Sequence, residues 1–230
     1  CRFCHIKTGN PQGFFDKNEP EKISNSCFDH GLRYVVLTKV DRDDLADGGA
    51  SHVHRVVSAI KEKNRDIRIE VLSGDFAGSK ENLAAALKQA PDVFSHNMET
   101  VESLTPRVRD RRASYKQSLD VLEMAKQVAP SSLLTKTSLM LGLGETQDEI
   151  LQTFQDLKNV GVDFLTLGQY MRPTKKHLSV RKWVEPETFD MLALEAQKLG
   201  FEVAAGPLVR SSYKAQWFYE RWLKKSRCVG

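Results

Sequence analysis

Short apolar runs alternate along the chain with longer amphipathic stretches. The runs are rich in β-branched and aromatic residues, which is typical of parallel strands buried on both faces. They lie at 33–38, 67–73, 92–97, 135–141, 163–168 and 201–205. The amphipathic stretches predict helices at about 19–30, 50–63, 79–90, 114–129, 146–160, 186–199 and 213–225. This alternation predicts an α/β fold, namely a partial TIM-type (β/α)6 barrel, with a doubly wound open sheet as the second interpretation.

Polar residues follow most of the predicted strands. The carboxyl ends of parallel strands meet at one edge of a sheet, and active sites of both architectures gather there. We therefore expect a functional site to be built from the polar segments that follow these strands: 38–44, 96–99, 142–145, 169–172 and 206–213.

Composition narrows the class of protein. The chain of 230 residues is 40% apolar and 28% charged, which excludes intrinsic disorder. No apolar run approaches the roughly 20 residues that span a bilayer. A net charge of +4 is too small for a nucleic-acid binder and suits an acidic protein partner. Four cysteines are too few for a disulfide scaffold, which indicates a reducing compartment.

The pair Cys1-Arg2-Phe3-Cys4 is a C-x-x-C motif, and thiolates at this spacing bind iron–sulfur clusters or soft metals. Two thiolates complete neither kind of site, so a cluster, another metal or redox use, and coincidence all stay open. Because the sequence opens inside this motif, we expect the natural chain to begin upstream. Cys27 is predicted to be a core residue, and Cys228 near the end is predicted to have no role.

Other polar residues have both a structural and a functional interpretation. Gly142 and Gly144 follow a strand, where they would form either a tight turn or a backbone cradle for a ligand. Asn97 and Glu99 would share one side of a strand end, which suits hydrogen bonds to ribose hydroxyls. Lys136 inside an apolar strand needs an anionic partner or a place in the barrel interior, and a Schiff-base lysine is the alternative.

Taken together, these segments resemble the lipoyl synthase family of radical S-adenosylmethionine (SAM) enzymes. CRFC resembles the last two cysteines of the motif C-x-x-x-C-x-aromatic-C, and the similarity continues in order to about residue 215. The strings that carry it are GLRYVVLTKVDRDDLADGGA, DVFSHNMETV, TKTSLMLGLGET, FLTLGQYMRPTKKHL and GPLVRSSYKA. The resemblance implies a radical SAM barrel over 1–215, followed by a helical tail over 216–230.

The first radical-SAM cysteine would stand four residues before Cys1, and the auxiliary-cluster cysteines of the family would precede it. The sequence is therefore interpreted as truncated, and we expect the chain as given to be inactive. The resemblance implies insertion of two sulfur atoms at carbons 6 and 8 of a protein-bound octanoyl group, which makes the lipoyl cofactor. It also implies the cofactors of that reaction: SAM, a radical-SAM [4Fe–4S] cluster and an auxiliary [4Fe–4S] cluster that donates sulfur.

The resemblance also implies roles for single residues. Cys1 and Cys4 would be ligands of the radical-SAM cluster, and Ser212, in preference to Ser211, would be an oxygen ligand of the auxiliary cluster. The expected contacts of SAM and the clusters are Asn97, Glu99, Lys136, Gly142, Gly144 and Arg210.

The implied partners are the octanoylated lipoyl domains of 2-oxoacid dehydrogenases and the H protein of glycine cleavage. An electron donor such as ferredoxin or flavodoxin is also implied, with no nucleic acid and no membrane. The expected compartment is the cytoplasm, or the mitochondrial or plastid matrix in a eukaryote. The alternatives are a biotin-synthase-type sulfur inserter, a non-catalytic fragment or paralogue that binds SAM or lipoyl domains, and an aldolase that uses Lys136.

Overall fold

A parallel β-sheet, curved into a partial barrel, forms the centre of the molecule. The computed structural model describes residues 1–6, 9–12 and 14–228. Within these ranges six strands lie side by side in chain order, and every neighbouring pair is parallel. They are β1 (Tyr34–Thr38), β2 (Arg68–Leu72), β3 (Val93–Ser95), β4 (Leu134–Leu141), β5 (Phe164–Gln169) and β6 (Glu202–Gly206). The predicted α/β fold is confirmed.

Helices precede, connect and follow the strands. They are α1 (Glu19–Asp29), α2 (Ala50–Lys63), α3 (Lys80–Leu87), α4 (Thr105–Val108), α5 (Tyr115–Val128), α6 (Gln147–Asn159), α7 (Pro186–Lys198) and α8 (Ala215–Cys228). The short α4 was not predicted, because four residues are too few to show a helical period. The T-x-x-E sequence explains the start of α6, where Thr146 and Glu149 form the expected capping box.

Alternating strand residues divide the core between the two faces of the sheet. Outward-facing side chains, such as Ile69 and Phe94 in one cluster and Leu139 and Leu165 in another, pack against the surrounding helices. Each fully buried side chain of this size contributes about 1.5–3 kcal/mol to folding. The sheet and its helices therefore form a rigid support, and the inward-facing residues are left for other roles.

The amino ends of the strands are closed by α8, and we call this end of the barrel the floor. Tyr219 is buried there with Val93, Leu134 and Phe164, and Trp222 packs against the same cluster. The aromatic C-terminal stretch is therefore a packing helix. No helix in the described ranges has the length and apolar character that a bilayer crossing requires.

Candidate functional site

The cysteine loop lies beside the carboxyl ends of the strands, which we call the mouth. The backbone N–H of Arg2 donates to the carbonyl of Val108 (2.9 Å), and Leu178 N–H donates to the carbonyl of Arg2 (3.2 Å). Phe3 packs in a small cluster with Val108 and Tyr170. The loop is thus held between the end of α4 and the segment that follows β5.

Both thiols of the loop are exposed. The backbone N–H of Asp110 donates to Cys1 Sγ (3.3 Å), and such a donor favours a thiolate. Among the described residues no group of three or more His, Cys, Asp and Glu side chains is arranged to hold a metal ion. Cys1 and Cys4 therefore fit a cluster as two of its soft ligands, and the described chain supplies no third one.

Small side chains line the upper part of the barrel interior. Thr166 and Ala204 stand in register on β5 and β6, and Gly168 follows one interior position above Thr166. A Cβ atom at Gly168 would lie 2.2 Å from the carbonyl oxygen of Val209. Glycine therefore allows the turn after β6 to cross the end of β5, and the small neighbours leave space below it.

Asn97 and Glu99 are brought together at the end of β3, as predicted. Asn97 Nδ2 donates to Glu99 Oε1 (3.3 Å), and Asn97 Oδ1 is buried with no hydrogen-bond partner in the described part of the chain. Glu99 has a φ of 69°, which is uncommon for a residue with a side chain. Burial raises the pKa of the Glu99 carboxyl, although Arg109 and Asn97 act in the opposite direction. Asn97 therefore retains an acceptor that the described residues do not use.

Glu99 belongs to a group of charged residues at the mouth, which we call the mouth cluster: Lys39, Asp41, Asp75, Glu99 and Arg109. Burial lowers the pKa of Lys39, raises that of Asp41 and lowers that of Arg109. Glu99, Asp75 and Asp41 act on Arg109 through the field of their charges. Within the described chain no ion pair of 4.0 Å or less joins members of this cluster.

The Gly142–Gly144 turn is held by the chain's own groups. The N–H groups of Gly142 and Leu143 donate to the carboxylate of Glu145 (2.5 and 2.9 Å). The carbonyl of Gly142 accepts from Arg181 N–H (2.8 Å), and a Cβ atom at Gly142 would lie 2.3 Å from the carbonyl oxygen of Lys182. The turn therefore anchors the segment after β5, and the N–H groups of Gly142 and Leu143 are already engaged by Glu145. Gly144 is exposed at the same turn, with a φ of 118°.

Lys136 is not at the mouth. It is the third residue of β4, five residues before the strand ends at Leu141, a distance of about 17 Å at roughly 3.3 Å per residue. Its ammonium donates to both carboxylate oxygens of Glu70 (2.9 and 3.1 Å), and both side chains are buried. The structure thus places Lys136 in an ion pair deep in the barrel, and its expected contact with SAM stays a prediction. The sequence predicted that Lys136 would have an anionic partner or lie in the barrel interior, and the structure shows both.

The R-S-S-Y segment runs from the mouth toward the floor. Arg210 Nη1 donates to the carbonyl of Val209 (2.7 Å), so Arg210 secures the turn that crosses β5. Ser212 is exposed, and no hydrogen bond of its hydroxyl is found in the described chain. Its carbonyl accepts from Ala215 N–H (3.3 Å) in the turn before α8. The hydroxyl is therefore open to an outside ligand.

Comparison with known proteins places the chain in a family. The model of the radical SAM superfamily matches residues 1–157. The lipoyl synthase of Pyrobaculum calidifontis is 51% identical over 229 residues, and the match covers 98% of this chain and 78% of that protein. The chain belongs to the lipoyl synthase family of the radical SAM superfamily.

Other matches agree with this family and show how much of each related protein the chain covers. The mitochondrial lipoyl synthase of Clavispora lusitaniae is 54% identical, and the match covers 99% of this chain and 58% of that protein. The chain thus spans little more than half the length of the fungal relatives it matches. Methylornithine synthase has a similar fold, with a TM-score of 0.69 and 15% identity over 88% of this chain and 59% of that protein. The [FeFe]-hydrogenase maturase HydG also has a similar fold, with a TM-score of 0.68 and 15% identity. The match covers 95% of this chain and 51% of HydG. The radical SAM barrel fold is thereby confirmed.

Sequence reasoning missed several mouth residues. Arg109 stands in the run RVRDRR, which looks like a solvated basic face, yet its side chain is buried. His96 and Ser118 are 22 positions apart and meet in space. The polar residues after the strands were a usable signal for Lys39, Asp41 and His96. No comparable signal marked Ser118, which lies on the inner face of α5.

Proposed function

We propose that this chain is the barrel domain of a lipoyl synthase, an enzyme that inserts two sulfur atoms at carbons 6 and 8 of a protein-bound octanoyl group. The observation that carries the proposal is the exposed thiol pair beside a mouth that is lined by small residues and unpaired buried polar groups. Family membership supports it, because the chain matches lipoyl synthases over nearly its whole length.

The proposed cofactors are SAM and two [4Fe–4S] clusters. Cys1 and Cys4 would be two ligands of the radical-SAM cluster, and the exposed hydroxyl of Ser212 would be a ligand of the auxiliary cluster. When bound, these groups supply the homolytic chemistry and the sulfur, which acid–base side chains do not provide for an unactivated C–H bond. The barrel supplies position and shelter from water.

Three residues at the mouth fit the polar parts of SAM. The free acceptor of Asn97 and the carboxyl of Glu99 suit ribose hydroxyls. The guanidinium of Arg109 suits the SAM carboxylate, because its Nε–H is buried and no described residue accepts from it. We assign Lys136, Gly142 and Arg210 to supporting roles, since each is bonded to another part of the chain. Gly144 gives that turn its left-handed backbone.

The proposed partners follow from the reaction. They are octanoylated lipoyl domains of 2-oxoacid dehydrogenases, the H protein of glycine cleavage, and a one-electron donor such as ferredoxin or flavodoxin. The proposed compartment is the cytoplasm, or the mitochondrial or plastid matrix in a eukaryote. Several relatives are named mitochondrial, which supports the second location for a eukaryotic source.

The test uses the full-length protein, reconstituted anaerobically and given SAM, a reductant and an octanoylated lipoyl domain. In a single turnover the wild-type protein should form both 5′-deoxyadenosine and lipoyl product. Ser212→Ala should keep SAM cleavage and lose the lipoyl product, because only the auxiliary cluster loses its oxygen ligand. The measurement is the ratio of lipoyl product to 5′-deoxyadenosine.

Ser211→Ala is the matched control, since it removes the neighbouring hydroxyl. A collapsed ratio in Ser211→Ala with a normal ratio in Ser212→Ala would move the ligand by one residue. Normal ratios in both variants would remove the segment from the reaction. Wild-type protein that forms no 5′-deoxyadenosine would contradict the proposed function itself.

A further inference from the structure

Three polar side chains from three different elements form a buried chain of hydrogen bonds behind the mouth. His96 follows β3, Arg109 follows α4, and Ser118 lies on α5. His96 Nδ1 is 3.0 Å from the carbonyl oxygen of Ser73, and His96 Nε2 is 2.9 Å from Ser118 Oγ. Arg109 Nη1 donates to the same Ser118 Oγ (2.7 Å). Each of the three side chains is more than nine-tenths buried.

The hydrogen-bond partners fix the position of every proton in this series of hydrogen bonds. The Ser73 carbonyl only accepts, so His96 Nδ1 carries a hydrogen. Burial lowers the pKa of His96 to about 4, and the charge of Arg109 adds to this effect, so the imidazole is neutral at pH 7. Nε2 is then an acceptor for the Ser118 hydroxyl, whose oxygen receives Arg109. The order of donation is therefore Arg109 to Ser118, Ser118 to His96, and His96 to Ser73.

This series of hydrogen bonds engages one edge of the Arg109 guanidinium and leaves another edge available. Arg109 Nη1 is bound to Ser118, whereas Arg109 Nε is buried without a hydrogen-bond partner among the described residues. Within the described chain no carboxylate lies within 4.0 Å of the guanidinium. A buried guanidinium with unused donors is costly unless an anion receives them. The described part of the chain thus leaves donors of Arg109 available to an anionic ligand.

We propose that His96 and Ser118 are positioning residues, which hold the Arg109 guanidinium in the orientation that receives the carboxylate of SAM. The assignment rests on the proposed function for the identity of the ligand. An arginine side chain loses rotamer entropy when a ligand fixes it, and a hydrogen bond at Nη1 removes part of that cost before the ligand arrives. His96 in turn fixes the Ser118 hydroxyl, because its tautomer permits only one direction of donation.

The first experiment measures ligand binding to the full-length, anaerobically reconstituted protein by titration calorimetry. The ligands are SAM and decarboxylated SAM, which keeps the ammonium and sulfonium groups. Ser118→Ala should raise the Kd of SAM about tenfold, the effect of one hydrogen bond to a charged group. It should leave the Kd of decarboxylated SAM unchanged. Equal weakening of both ligands would overturn the inference and make Ser118 a structural residue.

Ser24→Ala is the matched control. Ser24 is equally buried, and its hydroxyl donates to the Ala59 carbonyl (2.7 Å) between α1 and α2. This variant loses one buried hydrogen bond elsewhere and should bind both ligands normally. In an Arg109→Gln background, Ser118→Ala should add little further loss, because Ser118 acts through Arg109. Fully additive losses would contradict that dependence.

A second measurement does not depend on SAM. Nitrogen-15 NMR of the His96 ring should show a neutral imidazole with hydrogen on Nδ1 at pH 7. A ring that is charged at pH 7, or that carries its hydrogen on Nε2, would overturn the chain of hydrogen bonds whatever ligand the protein binds. If wild-type protein failed to bind SAM, the proposed function would fail while this measurement still judged the positioning chain.

Discussion

The charged residues of the floor and those of the mouth cluster differ in how they are paired within the described chain. At the floor Lys136 binds Glu70, and Glu202 pairs with Arg221 and Lys225 of α8, each at 2.7 Å. In the mouth cluster Arg109 and Glu99 influence each other without a direct ion pair in the described chain. The same residue types are therefore used in two ways within one barrel.

This difference in pairing distinguishes charges that stabilise the fold from charges that are available to bind a ligand. A buried charge costs several kcal/mol when it leaves water, and a well-placed partner offsets that cost. The floor offsets it within the chain, and it also ties α8 to the strands. In the mouth cluster no ion pair within the described chain offsets the cost of removing these charges from water. Such unpaired charges are typical of a binding site, in which the ligand supplies the partners. Charged groups that look alike in the sequence are thus told apart by their pairing.

The largest expected effect comes from the cysteine loop beside the mouth. Cys4→Ala should abolish SAM cleavage to 5′-deoxyadenosine in the full-length protein, because the cluster loses a thiolate ligand. The measurement is the yield of 5′-deoxyadenosine under anaerobic, reducing conditions. Cys27→Ala is the control, since Cys27 is a buried core residue of α1 and should retain cleavage. A normal yield in Cys4→Ala would remove the loop from the chemistry and leave the mouth without its reactive centre.

The second prediction tests the floor. Lys136→Met leaves the buried Glu70 carboxylate without its cation, so the free energy of unfolding should fall by about 3–5 kcal/mol. The measurement is chemical denaturation of wild type and variant. In the double variant Lys136→Met/Glu70→Leu, apolar side chains replace both charges, and most of the lost stability should return.

The double variant also sharpens the comparison between the two ends. Because it is expected to be stable, its affinity for SAM reports on Lys136 without interference from misfolding. An unchanged Kd agrees with a structural ion pair at the floor. A large rise in Kd would show that Lys136 reaches the ligand, and the division between floor and mouth would be wrong at this residue.

The strands and helices could be predicted because their signals are local. The six apolar runs and the T-x-x-E cap at Thr146 depend only on neighbouring residues, and the structure reproduces them within a few positions. The pairing of charges depends on residues far apart in the chain. Lys136 meets Glu70 across 66 positions, and Arg109 reaches Ser118 only after the turn between α4 and α5 has formed. No local pattern announces either contact.

The turn at Gly142–Gly144 is a second feature that local sequence does not determine. Gly142 and Gly144 were predicted to give either a tight turn or a ligand cradle, and sequence alone could not choose. The choice depends on Glu145, whose carboxylate accepts from the N–H groups of Gly142 and Leu143, and on Lys182, whose carbonyl lies close over Gly142. A carboxylate next to a glycine pair has many other possible positions, so only the folded chain decides.

The smallest expected effect is a pair of opposite pH dependences, one from each end. Burial acts to raise the pKa of the Asp92 carboxyl at the floor, but hydrogen bonds from Ile69 N–H, Arg68 and Lys61 outweigh it and lower the pKa. A lowered folded-state pKa contributes stability that is present above the unfolded value, about 3.9, and is lost as the pH falls. Asp92→Asn should therefore lower the free energy of unfolding at pH 7, and the difference should disappear in acid.

Glu99 at the mouth should show the reverse sign. Burial raises its pKa, so the folded state prefers the protonated carboxyl. Its ionisation then weakens folding as the pH rises from the unfolded value, about 4.3, through the folded one. Glu99→Gln should raise the free energy of unfolding at pH 7 and leave it nearly unchanged near pH 4, because the glutamate is then largely protonated in both states. Urea denaturation measures the two slopes, between pH 4 and 8 for Glu99→Gln and below about pH 3.9 for Asp92→Asn. If both slopes had the same sign, the mouth and the floor would treat their charges alike, and the contrast between a binding site and a structural ion pair would fail at these residues.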